Sequence, residues 1–328
     1  MEFIKFGEIN REVSRIGLGT WAIGGWMWGG SDSETSIQTI LAAFELGINL
    51  IDTAPAYGAG LSEQLVGRAI AESGGRARLV IATKVGLEST DGNVRRNSTR
   101  NAIIQEIEDS LRRLQTDYID IYQVHWPDPL VPIEETASAL YHLYRQGKIR
   151  AIGVSNFSIE QMNLFRAAAP LHTAQPPYNL FERGVEKDVL PYCREHKITT
   201  LVYGALCRGL LSGKMRLETS FVGDDVRKID PKFQPPRYTR YLTAVDRLDR
   251  FAREHYGKRV IPLAVRWLLD QSDVGVALWG ARRPNQLGPV EEVMGWSLDE
   301  AALNAINKIV DETVPDPVGP EFMAPPAR

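Results

Sequence analysis

Four ionisable side chains stand where runs of β-branched and apolar residues stop. The run INLID ends in Asp52, and the loop after it, TAPAYGAGLSE, carries Tyr57. LVIATK ends in Lys84, and YIDIYQVH ends in His125. Singly, each has an ordinary explanation: a helix cap, an interface tyrosine, a lysine reaching solvent, a hydrogen-bonded structural histidine. Together they define a chemistry. An unassisted tyrosine, with a pKa of about 10, is a poor proton donor near neutrality. A close ammonium stabilises the phenolate and lowers that pKa, while a carboxylate keeps the ammonium charged in a partly desolvated pocket. An imidazole beside the phenol orients a carbonyl oxygen. No activated Ser or Cys accompanies them, so acyl transfer does not fit. The set suits protonation of an oxygen that gathers negative charge as a hydride arrives at carbon, with general acid assistance of about 10²–10⁴-fold. The hydride itself must come from a cofactor.

The elements that position these groups recur along the chain. The strand-like runs IGLGT, INLID, LVIATKV, YIDIYQVH, IRAIGVS, HTAQ, TTLVYGA and VGVALWG alternate with stretches whose apolar residues repeat at three- and four-residue spacing. A parallel sheet covered by helices follows, and both an open doubly wound sheet and a closed barrel satisfy the pattern. Eight units without a break favour a (β/α)8 TIM barrel, which gathers functional side chains at the C-terminal ends of its strands. EFIKF and EVSRI, flanking GEIN, predict an N-terminal hairpin across the bottom of the barrel. Ser33 and Ser98 are expected as N-caps, and Gly47 and Gly147 as helix stops. Residues 208–237, rich in Gly, Pro and charge, read as a long cofactor or active-site loop. Residues 313–328 form an irregular tail, a surface strap or a flexible end, and residues 1–328 are read as one domain.

Two motifs mislead. In SRIGLGTWAIGG, Gly17, Gly19 and Ala22 satisfy G-x-G-x-x-G/A. A dinucleotide fingerprint, however, leads straight into a helix with an acidic residue about 20 positions on. TWAIGGWMWGG cannot start a helix, and Asp52 comes too late, so the glycines belong to the first barrel strand. Tyr144 and Lys148 reproduce the Y-x-x-x-K spacing of short-chain dehydrogenases, but they sit at a helix end without a partner motif and are read as structural.

With 38 basic against 41 acidic residues, the chain has no electrostatic reason to bind nucleic acid or an anionic membrane. No apolar run is long enough to span a bilayer, and the charged N-terminus is not a signal peptide. Cys193 and Cys207 make no CxxC pair, so neither a metal nor a disulfide is expected, and a cytoplasmic setting is.

The combination GLGTW, NLIDTAPAYGAGLSEQLVG, VIATK, YQVHWPD, RAIGVSNF and WGARRPNQL resembles the aldo-keto reductase superfamily, in the family's order from about Ile4 to Val290. YGALCRGLLSGK is similar to the branch that holds bacterial NADP-dependent reductases and potassium-channel β subunits. The resemblance implies that Tyr57 is the proton donor, Lys84 and Asp52 its tuning partners, and His125 the residue that orients the carbonyl. It implies an NADP(H) site as well, with Thr20, Trp21 and Asp52 beside the cofactor. Ser155, Asn156 and Gln175 would hold the nicotinamide carboxamide and Tyr203 would stack on the ring. The backbone of Gly204, Ala205, Leu206, Cys207 and Arg208, with the Lys214 side chain, would follow the pyrophosphate. Gly280, Arg282 and Gln286 would receive the 2′-phosphate. Arg282 and Arg283 before a helix near Pro284 suit a phosphate on physical grounds too. Trp21, Trp26, Trp28 and Trp126 are expected to wall the substrate pocket.

Val290 stands where many relatives carry an adenine-contacting Asn, and Gly204–Leu206 where many read SPL. His125, where channel subunits tend to carry Asn, favours an active reductase. The implied activity is reduction of an aldehyde or ketone with NADPH. The alternatives are an NAD(P)-dependent aldose dehydrogenase and a catalytically weak cofactor-binding subunit; substrate and oligomeric state stay open.

Overall fold

A computed structural model describes residues 1–90 and 93–328. The chain opens with an antiparallel hairpin, β1 (Phe3–Phe6) and β2 (Arg11–Ser14). The strands β3 (Ile16–Gly19), β4 (Leu50–Asp52) and β5 (Val80–Val85) follow, and then a second hairpin, β6 (Leu87–Thr90) and β7 (Asn93–Arg96), that the sequence reading did not anticipate. Next come β8 (Ile119–Val124), β9 (Ile149–Ser155), β10 (Thr173–Gln175), β11 (Thr199–Val202) and β12 (Val276–Gly280). Outside the two hairpins, eight strands pair in parallel in chain order, and β12 returns to β3 to close a (β/α)8 barrel.

Helices fill the returns: α1 (Ser33–Glu45), α2 (Leu61–Ser73), α3 (Arg100–Leu114), α4 (Ile133–Arg145), α5 (Ile159–Ala168), α6 (Val189–Glu195), α7 (Arg237–Tyr256) and α8 (Val260–Leu269), with α9 (Glu300–Thr313) after the last strand. Their starts correct two expectations. Asp32 caps α1 by accepting from the Thr35 N–H at 2.8 Å, and Thr99 caps α3. An N-cap needs extended backbone just outside the helix. Asp32 and Thr99 have it, while Ser33 is already helical and the Ser98 N–H is held by Asp128. Gly47 and Gly147, both at positive φ, follow α1 and α4 as expected.

The two-residue period of the strands sorts the core. Leu50, Val80, Ala82, Ile121, Ala151, Leu201, Val276 and Leu278 form one apolar cluster with Phe6, Ile9 and Val13 of the N-terminal hairpin. That hairpin therefore plugs the bottom of the barrel. Alternate strand residues such as Ile81, Tyr122, Ile152 and Val154 join a second cluster with the helices. One inward step above Leu50, Ala82 and Ile121 come Asp52, Lys84 and Gln123, so the site rests on a packed apolar floor.

The segment between β11 and α7 consists of short turns anchored by a buried ion cluster. Arg208 bonds Asp230 and Glu182 at 2.5 Å each, and Lys232 bonds Glu182 at 2.8 Å. The tail is a strap. Its Pro325 and Pro326 carbonyls accept from the Arg96 side chain and backbone at 2.7 and 3.1 Å, which lays it beside the second hairpin. No helix among the described residues is long and apolar enough to cross a membrane.

Candidate active site

Asp52 and Lys84 reach the top of the barrel as the inward residues that end β4 and follow Ala82 on β5. Tyr57 is brought over them by a tight turn after β4, in which the Tyr57 N–H bonds Ala54 O at 3.1 Å and the Gly60 N–H bonds Pro55 O at 2.7 Å. Two glycines permit the placement. A Cβ on Gly24 would lie 2.6 Å from the Tyr57 carbonyl carbon, and one on Gly58, at φ +67°, would strike the Gly24 carbonyl. Backbone-to-backbone contact between these loops thus sets the height of the tyrosine. Below, Ser62 bonds both Thr20 and Thr53, at 2.7 and 2.9 Å, and pins the start of α2 to β3 and β4.

The Lys84 Nζ donates to Asp52 Oδ1 at 2.5 Å, to Thr53 O at 3.0 Å and to Tyr57 Oη at 3.2 Å. The His125 ring stands edge-on to the Tyr57 ring with centroids 5.6 Å apart. All four residues picked out at the strand ends therefore converge. Burial pushes the Lys84 ammonium toward neutrality, but Asp52 and Tyr57 together outweigh it, and its pKa rises above the ordinary lysine value. Burial and the Lys84 charge hold the His125 pKa well below the usual value, so it is a neutral imidazole. For Tyr57 the outcome differs from the sequence expectation. Burial raises its pKa, Lys84 only opposes the rise, and the net direction is up. The tyrosine is a firmly protonated phenol.

A cavity of about 460 Å³ opens from Tyr57 and His125 across the top of the barrel. Trp21, Trp26, Trp28 and Trp126 all line it, and Trp21 stacks over Tyr57 with centroids 6.3 Å apart. Thr20, Trp21, Asp52, Ser155, Asn156, Gln175, Tyr203, Gly204, Ala205, Leu206, Arg208, Lys214, Gly280, Arg282 and Gln286 line it as well. Cys207 does not: it is fully buried in the core under the loop. Arg208 lies along the cavity, with its guanidinium turned away into the ion cluster.

Asn156 donates to His125 O and Ser155 Oγ at 3.0 Å and accepts from Tyr203 Oη at 2.9 Å, which links three loops. The roof is a clasp. Met27 and Gly29 donate backbone N–H groups to Asp224 at 2.8 and 2.9 Å, closing the loop after β11 over the one after β3. This donor set fits a phosphorylated dinucleotide. Amide and hydroxyl groups lie at the Tyr57 end, a turn with left-handed Gly204, Cys207 and Arg208 comes next, and Lys214, Arg227 and Arg282 supply cations.

Several lining residues were missed. Arg227 lies in an aperiodic loop that carries no signal. Leu87 and Val94 come from the second hairpin, and Met323 and Pro325 from the tail. Gln123 does not line the cavity but bonds Asp52 beneath it, and it was findable: it lies two residues before His125, hence on the same inward side as that residue.

The sequence profile of the Aldo/keto reductase family spans residues 15–311. The chain is 61% identical to the aldo-keto reductase YhdN of Bacillus subtilis, over 100% of this chain and 99% of that one. It is 34% identical to the NADH-specific methylglyoxal reductase of Escherichia coli, over 95% and 99%. Among solved structures, the glycerol dehydrogenase AKR11B4 from Gluconobacter oxydans superposes with a TM-score of 0.89 and 52% identity, covering 98% of this chain and 99% of that one. An aldo/keto reductase from Klebsiella pneumoniae in complex with NADP and acetate gives 0.73 and 29%, with 94% of each chain covered.

The chain belongs to the aldo/keto reductase family. It is an oxidoreductase of carbonyl and CH–OH groups.

Proposed function

We propose that residues 1–328 act as one domain that reduces small aldehydes or ketones with NADPH, using Tyr57 as general acid. One observation carries the reading: a Tyr57 hydroxyl 3.2 Å from the Lys84 Nζ, which is itself 2.5 Å from the Asp52 carboxylate, at the inner end of an aromatic cavity. The bound cofactor supplies the hydride. Tyr57 gives its Oη proton to the carbonyl oxygen as that oxygen gathers charge, and Lys84 behind it stabilises the phenolate left over. His125, being neutral, orients the oxygen without competing for the proton. The four tryptophans keep water from the reacting pair. The free, buried state of Cys193 and Cys207 supports a cytoplasmic setting.

The raised Tyr57 pKa has a direction in pH. Reduction uses the phenol, so its rate stays level from about pH 6 to 9, while oxidation needs the phenolate and climbs toward alkaline pH. Initial rates in both directions across pH test this. A reduction rate that collapses just above neutrality contradicts it.

Arg282 donates to Trp28 O at 2.7 Å and shares the cavity with Arg227 and Gln286. We assign it to the 2′-phosphate. Arg282→Ala then weakens NADPH about 10–100-fold, the worth of one charged hydrogen bond, and leaves NADH within about twofold. Fluorescence titration with both coenzymes decides the point; equal losses for the two refute the assignment.

A second reading is oxidation of a polyol or aldose by the same groups in reverse, favoured by the 52% identity to a glycerol dehydrogenase. A panel of aldehydes, ketones, polyols and aldoses run with both coenzymes separates the two. Failure to oxidise NADPH with any reactive aldehyde instead favours a cofactor-binding subunit.

A further inference from the structure

We propose that Gln123 is a positioning residue for proton transfer: its side-chain amide holds Asp52 against Lys84 and, through that pair, sets the Tyr57 hydroxyl. This rests on the reading of Tyr57 just given. Gln123 is fully buried on β8, with Lys84 and Gly153 as its strand neighbours on either side. Its Nε2 donates to Asp52 Oδ2 at 3.3 Å, and the Gln175 Nε2 donates to the same oxygen at 2.7 Å. Lys84 takes the other oxygen.

Two features mark Gln123 as more than filling. The inward positions below it are apolar, and a Leu would continue that layer at no desolvation cost. Its own Oε1 is buried without a partner, so the amide is not there to complete a closed network. The chain also makes room for it. A Cβ on Gly153 would lie 2.8 Å from Gln123 Cγ and collide with Thr173 Oγ1. Gln175 lines the cavity and Gln123 does not, so Gln123 is the amide committed to Asp52 alone.

The consequence is electrostatic. The titratable groups facing Tyr57 are Lys84 from β5, Asp52 from β4, His125 after β8 and Tyr203 after β11. Asp52 raises the Tyr57 pKa and Lys84 lowers it. An amide N–H on Asp52 Oδ2 disperses the carboxylate charge, so removing it strengthens the Asp52 influence and draws the Lys84 ammonium away from the phenol.

Gln123→Leu and Gln123→Met test this, the second keeping side-chain length should the first fold poorly. The alkaline limb of alcohol oxidation is expected to move up by about half to one pH unit, and oxidation at neutral pH to fall about 3–10-fold. NADPH affinity by fluorescence titration stays within about twofold. In the cofactor-free protein, the phenolate absorbance change that Tyr57→Phe abolishes moves in the same direction. An unmoved limb, with any loss of rate uniform in pH, means that Gln123 only packs and overturns the proposal. If Tyr57→Phe itself retains activity, it is the reading of Tyr57 that fails; loss of activity there with an unmoved Gln123 limb sinks the Gln123 role alone.

Discussion

Tyr57→Phe is expected to lower kcat for carbonyl reduction about 10²–10⁴-fold, the range that a positioned general acid supplies. The loss falls on kcat because the phenol is the group poised to give up a proton, and nothing else can take its place. Lys84 is tied to Asp52 at 2.5 Å, and His125 is already neutral. The phenyl ring keeps its stacking under Trp21 and its edge contact with His125, and the Gly24–Gly58 contact that sets the loop does not involve the hydroxyl. Stability and NADPH affinity therefore stay close to wild type. Single-turnover reduction of an activated aldehyde, with coenzyme binding measured on the same sample, checks the claim. Wild-type turnover in this variant would remove Tyr57 from the chemistry altogether.

Lys84→Met is expected to strike both activity and stability. Asp52 is 2% exposed and Lys84 is completely buried, so removing the ammonium leaves a carboxylate in the barrel with only two amides to satisfy it. Breaking a buried pair from one side typically costs about 3–5 kcal/mol, because the remaining charge has lost its compensation. Denaturant unfolding of the variant measures that loss. Adding Asp52→Asn to Lys84→Met should return much of it, since a neutral amide needs no counter-charge. Activity should stay low in both, because no ammonium is left beside the phenol. If Lys84→Met unfolds like wild type and the double variant is no better, the pair does not carry the electrostatic weight assigned to it.

The strand ends were legible because two local rules converge there. Period-two alternation marks which residues point inward, and a parallel barrel brings the C-terminal ends of all its strands to one face. Asp52, Lys84 and His125 follow from those rules. Tyr57 follows less directly, since a loop residue is placed only by its turn and by the close approach of Gly24. The helix starts were misplaced by one residue at Ser33 and Ser98 because neighbouring Asp32 and Thr99 are equally good caps, and only the backbone angles choose between them.

By itself, then, the sequence determined eight strand–helix units, the inward faces of their strands and the carboxylate, ammonium and imidazole at the strand ends. Periodicity and connection order are local properties, and they suffice for that, whereas closure of the sheet and the seat of the phenol needed the β12–β3 pairing and the Gly24–Gly58 contact. The tertiary structure decided what depends on contacts between distant segments and on burial. It turned the Arg208 guanidinium away from the cavity toward Glu182 and Asp230 and sank Cys207 beneath the loop. It drew the tail across Arg96 and clasped Asp224 to Met27 and Gly29. It also reversed the expected direction for Tyr57, because desolvation depends on everything packed around the hydroxyl and outweighs the one ammonium that a motif can reveal.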